Sequence, residues 1–268
     1  MRSLSVLIGF LLLVGNPAQA WNAAGHRATA AIAFAQLSAE QQGELKIILR
    51  EHPRYDEDFV ALMPEAIGNG SDHVKTIWSL EQAAIWPDLI RNLTPDVQRS
   101  FSRYTWHYIN RVVWLSPSDG ESLDTRLHHN QSLDYSPPLQ PAMNIMQALP
   151  GNLEVWREKS SSLAEKAVAL CWILHLVGDL HQPLHTVALF SETYFPLGDR
   201  GGNSIKVRRG NQVLPLHAVW DGLPSNNSDS LLPAPHTLRL IKDDIVTDDL
   251  ILTWLDQHVG LAHQFVYT

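Results

Sequence analysis

The chain has 268 residues, a single cysteine, a formal net charge of -8 and 45% hydrophobic residues. That length buries a full core without cross-links, and one cysteine excludes an internal disulfide framework. The negative balance excludes nucleic-acid binding through a broad basic surface, but not a local positive site made by bound cations.

The first stretch, MRSLSVLIGFLLLVG, places an apolar run after one arginine, and Ala18-Gln19-Ala20 follows it. This is the pattern of a secretory signal with a small-residue cleavage site; the run is shorter than the about 20 apolar residues needed to span a bilayer. Residues 1–20 are therefore expected to be removed on export to the periplasm or the medium. Residues 21–268 would remain as one soluble domain, beginning on Trp21 with His26 five places on. Residues 22–36, NAAGHRATAAIAFAQ, are alanine-rich and predict a helix. Ser38 with Gln41, and Ser162 with Glu165, have the spacing of capping boxes. They open helices over LSAEQQGELKIILRE and SSLAEKAVALCWILHLVGDL. Residues 72–85 predict another helix, stopped at Trp86-Pro87. Residues 115–141 read as a long polar, proline-rich loop of the kind that is often functional. Residues 203–216, NSIKVRRGNQVLPL, alternate about a turn at Gly210-Asn211 and predict a small hairpin. Segments 239–247 and 248–265 read as helical. The fold class is mainly α: a single helical domain with a small β-hairpin.

Thirteen histidines and nine tryptophans are both high for this length, and histidine is the more informative excess. The densest stretch is HLVGDLHQPLH, residues 175–185. His175 and Asp179 are four apart near a helix end, so both side chains lie on one face and can hold one metal ion. His181 points elsewhere. Pro183 ends the helix, and the chain can turn to bring His185 back. Taken alone, the stretch reads equally well as a helix C-terminus whose histidines complement the dipole. The pattern recurs, however. LHAVWD places His217 and Asp221 four apart, IWPDLIR holds Asp88 and Arg91, and WHYIN sets His107 among aromatics. Imidazole and carboxylate without a thiolate suit zinc in a hydrolytic role. Trp21 has two readings: its free α-amine and carbonyl chelate a metal beside His26, or its ring only anchors the first helix. His52, His73, His128, His129, His236, His258 and His263 carry no role in this pattern.

The segments WNAAGH, IWPDLIR, WHYIN, HLVGDLHQPLH, GGNSIKV and LHAVWD, in this order, resemble the type I nucleases of the phospholipase C/nuclease superfamily. Those are secreted, trizinc, single-strand-specific endonucleases with 3′-nucleotidase activity. The resemblance implies a mainly helical fold with a cleft holding three zinc ions. Asp88, His107, His175 and Asp179 would hold the first. Trp21, through its amine and carbonyl, and His26 would hold the second, with Asp179 bridging. His185, His217 and Asp221 would hold a more exposed third. Arg91 would contact the phosphate and Asp88 would orient the nucleophile. Tyr108, Asn110 and Asn203 would bind a base. The implied substrates are single-stranded DNA and RNA and 3′-nucleotides, cut to 5′-phosphate products by a monomer with no membrane role. Four features depart from the pattern, the absence of the fungal disulfides among them. Asn110 stands where fungal members have aspartate, Pro215 stands where asparagine is usual, and the chain stops at AHQFVYT where a further helix is expected. Two alternatives share the metal chemistry: a zinc-dependent phospholipase C and a non-catalytic periplasmic zinc-binding protein. In the phospholipase the last ligand is usually glutamate, and the first histidine lies further from the tryptophan.

Overall fold

The computed structural model describes residues 21–123, 131–223 and 246–267. The signal expected over residues 1–20 and most of the helix expected over 239–247 lie outside them, as do His128, His129 and His236. Elements run in chain order as α1 (Ala23–Ala35), α2 (Ala39–Arg50), α3 (Glu65–Gly68), α4 (Asp72–Leu89), α5 (Pro95–Phe101), β1 (Arg111–Trp114), α6 (Asp119–Ser122) and α7 (Ile145–Arg157). They continue as α8 (Leu163–Leu180), β2 (Val187–Phe190), β3 (Lys206–Arg209), β4 (Gln212–Pro215), α9 (Leu216–Asp221) and α10 (Asp248–Leu261). The class is mainly α, with two small two-stranded sheets. No described helix is long and apolar enough to cross a membrane.

Helix starts follow local chemistry. Ser38 and Gln41 cap α2 reciprocally, as do Ser162 and Glu165 for α8. Each pair satisfies two backbone N–H groups that the first turn leaves without helical partners. Helix α8 is apolar on every side, so it lies at the centre and packs against α1, α2, α4 and α7. Trp172 on α8 and Trp86 on α4 are among the largest fully buried side chains. Trp172 sits edge-on to Trp106 and His107, with ring centroids 4.8 and 5.3 Å away. The apolar core therefore forms one wall of the histidine cluster. Truncating a tryptophan in such a position costs about 3–5 kcal/mol.

Two expectations are corrected. Helix α4 does not stop at Trp86-Pro87 but continues to Leu89, with Pro87 inside it. Proline has no N–H for the ladder, and its ring crowds the preceding turn. One carbonyl of that turn, Ala84 O, accepts from His175 Nδ1 at 2.7 Å. The extra turn carries Asp88. The described part of the loop expected over 115–141 is not free of structure. It contains α6, and residues 131–141 strap α7: Asn144 Nδ2 donates to Ser132 O at 2.7 Å, and Trp106 Nε1 to Gln140 O at 2.8 Å. Gly151 lets the strap lie close on α7: a Cβ there would meet Leu139 Cδ2 at 2.3 Å and Tyr135 Cε2 at 2.9 Å, so these side chains would have to move.

The hairpin of β3 and β4 forms as expected, with Gly210 at φ +60° in its turn. The second pair is parallel, with Arg111 opposite Val187 and Trp114 opposite Phe190. It starts directly after WHYIN on one strand and one residue after HQPLH on the other. Ile109 N donates to His185 O at 2.9 Å, and Arg111 N to Thr186 O at 3.0 Å. This ladder staples two histidine motifs together.

Candidate metal centre

Helices α1, α4 and α8, the turn before β1, the turn after α8, and α9 each deliver one or two polar side chains to one place. His26, His175 and Asp179 are fully buried, and Asp88, His107, His185, His217 and Asp221 nearly so. Their ligand atoms form three groups, of which the first two share His175: His26, His175 and Asp179; Asp88, His107 and His175; His185, His217 and Asp221. Asp179 faces two ways. Its Oδ1 lies 3.2 Å from His26 Nε2, and its Oδ2 lies 3.2 Å from His175 Nε2 and 2.9 Å from His107 Nδ1. Asp88 Oδ1 is 3.8 Å from His175 Nε2. In the third group, Asp221 lies 3.9 Å from His185 Nε2 and 3.5 Å from His217 Nε2.

The backbone sets which ring nitrogen faces inward. His175 Nδ1 donates to Ala84 O, His185 Nδ1 to His107 O at 2.6 Å, and His217 Nδ1 to Gly201 O at 2.6 Å. Each Nε2 is thereby left as a lone pair aimed into the cluster, the usual arrangement for a ligating histidine. Gln182 fixes the last carboxylate: its Nε2 donates to Asp221 Oδ1 at 2.7 Å, and its Oε1 accepts from Leu184 N.

These donors fit a bound cation. Buried polar atoms are nearly always partnered, yet His26 Nδ1 and Nε2, Asp88 Oδ1, His107 Nε2, Asp179 Oδ1, His185 Nε2 and Asp221 Oδ2 have no hydrogen-bond partner. Burial pushes His107 and His217 down to about 3, so both rings are neutral at ordinary pH and keep a lone pair. Burial also pushes Asp221 up to about 8, which a neighbouring cation would reverse. Asp179 feels the same burial, but the charges of His175 and His185 and the hydrogen bonds of His107 and His175 carry it well below the carboxylate range. Two atoms sharing a tetrahedral zinc are about 3.3 Å apart, given bonds of roughly 2.0–2.1 Å. The separations around Asp179 are of that size.

The clusters floor a cleft of about 370 Å³. Arg91, Tyr108, Asn110 and Asn203 all line it, as do Tyr104 and Arg200, which sequence reasoning missed. Arg91 Nη1 lies 3.2 Å from Asp88 Oδ1, and its guanidinium sits 5.7 Å from the Tyr104 ring centroid. Trp21 is half-buried; the next residue, Asn22, donates its N–H to Asp221 O at 2.9 Å, so the Trp21 backbone lies beside the third group. His181 faces away, with its ring against Trp254 and His258.

Residues 21–245, which contain the whole of this cluster, match the S1/P1 nuclease family. The chain belongs to that family. Endonuclease 5 of Arabidopsis thaliana is 27% identical over 184 residues, covering 63% of this chain and 50% of the relative. Endonuclease 3 of the same plant is 47% identical over 55 residues, 20% of this chain and 16% of the relative. Nuclease S1 of Aspergillus oryzae is 35% identical over 63 residues, 24% of this chain and 19% of the relative. The chain thus spans half the length of Endonuclease 5 and under a fifth of the other two. Within the S1/P1 nuclease match lie α1 to α9; α10 falls beyond it.

Proposed function

We propose that the protein is an exported, zinc-dependent nuclease that cuts single-stranded DNA and RNA to 5′-phosphate products and hydrolyses 3′-nucleotides. The observation that carries this reading is three abutting histidine–aspartate groups under a cleft walled by a guanidinium and a half-buried tyrosine. Asp88, His107, His175 and Asp179 would hold one zinc, Trp21 and His26 with Asp179 a second, and His185, His217 and Asp221 a third. When bound, zinc ions polarise phosphoryl oxygens and acidify a water molecule toward neutral pH.

The remaining work falls to the chain. Arg91 aims a planar fork at the phosphoryl oxygens, and its Nε has no internal partner. Asp88, held by Arg91, accepts a hydrogen bond from the attacking water and orients it. Tyr108 offers a ring face to an unpaired base, which a duplex keeps in its stack. Asn203 Nδ2 is committed to Arg200 O at 2.9 Å, so Asn203 Oδ1 accepts from the base edge while Asn110 offers both donor and acceptor. Divalent charge over three carboxylates leaves the cleft positive in an acidic protein. Removal of residues 1–20 would free the α-amine of Trp21 beside Asp221, making it a ligand.

The test is elemental analysis of the mature protein, combined with cleavage of single-stranded and duplex oligonucleotides before and after chelation. About three zinc per chain, with single-strand cleavage lost on chelation and restored by zinc, is expected. One zinc per chain in active protein overturns the three-ion reading. Hydrolysis of phosphatidylcholine vesicles in place of polynucleotide would mark a phospholipase. Zinc without either activity would mark a binding protein.

A further inference from the structure

Arg200 stands in the turn Gly198-Asp199-Arg200-Gly201-Gly202. Gly198, Gly201 and Gly202 have φ of +82°, +58° and +79°, and each packs where a Cβ would crowd a neighbour. Arg200 shares the left-handed conformation, at φ +60°. A non-glycine residue held there costs about 1 kcal/mol or more, and such residues collect at ligand sites. The turn is fixed on both sides. Asp199 accepts from Leu189 N, Gly202 N and the Tyr267 hydroxyl, each at 2.8 Å, and the Arg200 carbonyl accepts from Asn203 Nδ2. The arginine is thus kept where glycine would be the easier residue.

Its side chain is exposed, lines the cleft, and makes no ion pair or hydrogen bond among the described residues. Tyr108 lines the same cleft, and burial and Tyr104 push its hydroxyl up while the charge of Arg200 opposes them. The described lining of the cleft thus includes two arginines, Arg91 beside the candidate metal groups and Arg200, which shares the lining with Tyr108. Arg91 already has Asp88 as a counter-ion, whereas Arg200 has none among the described residues.

We propose that Arg200 binds a second, non-scissile phosphate of the substrate: the 5′-phosphate of the nucleotide whose base rests on Tyr108. This rests on the nuclease reading and deepens it, since it makes the site prefer a nucleotide inside a chain over an isolated 3′-nucleotide. Guanidinium suits the task because its fork pairs two phosphate oxygens at once.

The experiment compares adenosine 3′-phosphate with adenosine 3′,5′-bisphosphate, which share a scissile bond and differ by that one phosphate. The zinc-loaded protein is expected to show the lower KM for the bisphosphate. Arg200→Ala should raise that KM about tenfold, the size of one charge-assisted contact, with kcat kept and adenosine 3′-phosphate changed less than about threefold. Arg200→Lys should recover part of the loss. Arg200→Gly should show the same kinetic loss with a melting temperature at least that of Arg200→Ala, because glycine accepts φ +60° without strain. An equal change on both substrates, or none on either, overturns the proposal.

A second readout needs no hydrolysis. Anisotropy of a labelled oligothymidylate with phosphorothioate linkages, which resist cleavage, on the zinc-loaded protein gives the slope of log affinity against log salt. Arg200→Ala should flatten it by about 0.7, the value for one phosphate contact on a single strand. An unchanged slope overturns the proposal. A flattened slope in a protein that hydrolyses neither nucleotide supports it while sinking the nuclease reading.

Discussion

His26 and His175 lie ring on ring, with centroids 4.0 Å apart and planes 18° from parallel, and one carboxylate touches both. His26 meets Asp179 Oδ1 and His175 meets Asp179 Oδ2, so a single aspartate joins two ligand groups. His26 Nε2 and His175 Nε2 face one carboxylate in the core, and both nitrogens of His26 lack a hydrogen-bond partner, an arrangement that suits a bound cation. The stacking also fixes where α1 must lie against α8, because His26 comes from one and His175 from the other. A cation held at this cluster would therefore couple to the packing of α1 on α8.

Gly178 is where this coupling can be probed. A Cβ at position 178 would sit 2.7 Å from His26 Nδ1 and 2.9 Å from His26 Cε1. Gly178→Ala should leave α8 itself intact, since alanine favours a helix by about 1 kcal/mol over glycine. It should displace His26, lower zinc content and cut activity by roughly 10–100-fold. Gly43→Ala in α2 meets nothing within 4 Å and should only stabilise, by up to about 1 kcal/mol. Zinc content and melting temperature of the two variants check this. Equal behaviour would show that His26 has room to move.

His175 and His181 should separate cleanly. His175 belongs to two ligand groups, so His175→Ala should cost more than the roughly 10–100-fold typical of losing a ligand's supporting partner. His181 Nδ1 donates to Val177 O at 2.7 Å, and its ring packs between α8 and α10, 4.9 Å from His258 and 5.0 Å from Trp254. His181→Ala should lower the melting temperature and leave activity per folded molecule within a few-fold. Single-turnover cleavage alongside thermal melts provides the comparison; equal activity losses would contradict the geometry.

Much of the histidine–aspartate cluster was legible because its pairs are local: His175 with Asp179 and His217 with Asp221 share a helix face at a four-residue step. The capped helices α2 and α8 were legible for the same reason. Helix α7 was not read, since Pro150 and Gly151 fall inside it, although Asn144 and Gln147 form a capping box at its start. The parallel pair was missed because each strand has only four residues and the partners are 76 apart in sequence, Arg111 and Val187 being the first. Gln182, Tyr104 and Arg200 matter through what they meet in space, and no spacing rule reports that. Pro87 misled because its cost is set by the fate of nearby carbonyls, and one is taken by a histidine of another helix.

His52 should make stability depend on pH. It is buried, edge-on to Trp86 at 4.5 Å, and its Nδ1 accepts from Arg54 N at 3.2 Å while Nε2 has no partner. Burial pushes it down from 6.5 to about 4, against the pull of Asp58. The unfolded chain therefore binds the extra proton first. The contribution is full above pH 6.5, declines as pH falls below it, and levels off near pH 4, a loss of about 3 kcal/mol across the window. Denaturant midpoints of chelated protein at pH 7 and pH 5 should fall more for the wild type than for His52→Asn. Identical pH slopes would show that His52 is solvated. The consequence reaches the site, because Asp58, held by Arg54 and by Trp86 Nε1 at 2.9 Å, ties this region to the helix carrying Asp88.

The final prediction concerns the amine of Trp21. Asn22 caps α1, its side chain accepting from Gly25 N at 3.1 Å, and its own N–H donates to Asp221 O at 2.9 Å. The peptide before it is thereby held between α1, which carries His26, and α9, which carries Asp221. An amide nitrogen at that point is a poor ligand, whereas a free amine is a good one once deprotonated, and its reference pKa is only about 7.7–8.0. The positive end of α1 and a bound cation both favour the neutral amine. Protein cut after Ala20 should therefore bind one zinc more tightly than protein with a single extra alanine before Trp21, and more tightly than the uncut chain. Its affinity should fall as pH drops below the amine pKa, because protons compete for the lone pair. The three preparations are compared by zinc titration and by cleavage of a single-stranded oligonucleotide. Equal zinc affinity in all three would show that Trp21 serves only as an apolar anchor. Trp21→Phe, correctly cut, keeps amine and carbonyl, so it should keep the metal and lose only packing stability. A loss of zinc in that variant, with the fold retained, would mean that the indole ring rather than the amine sets the site.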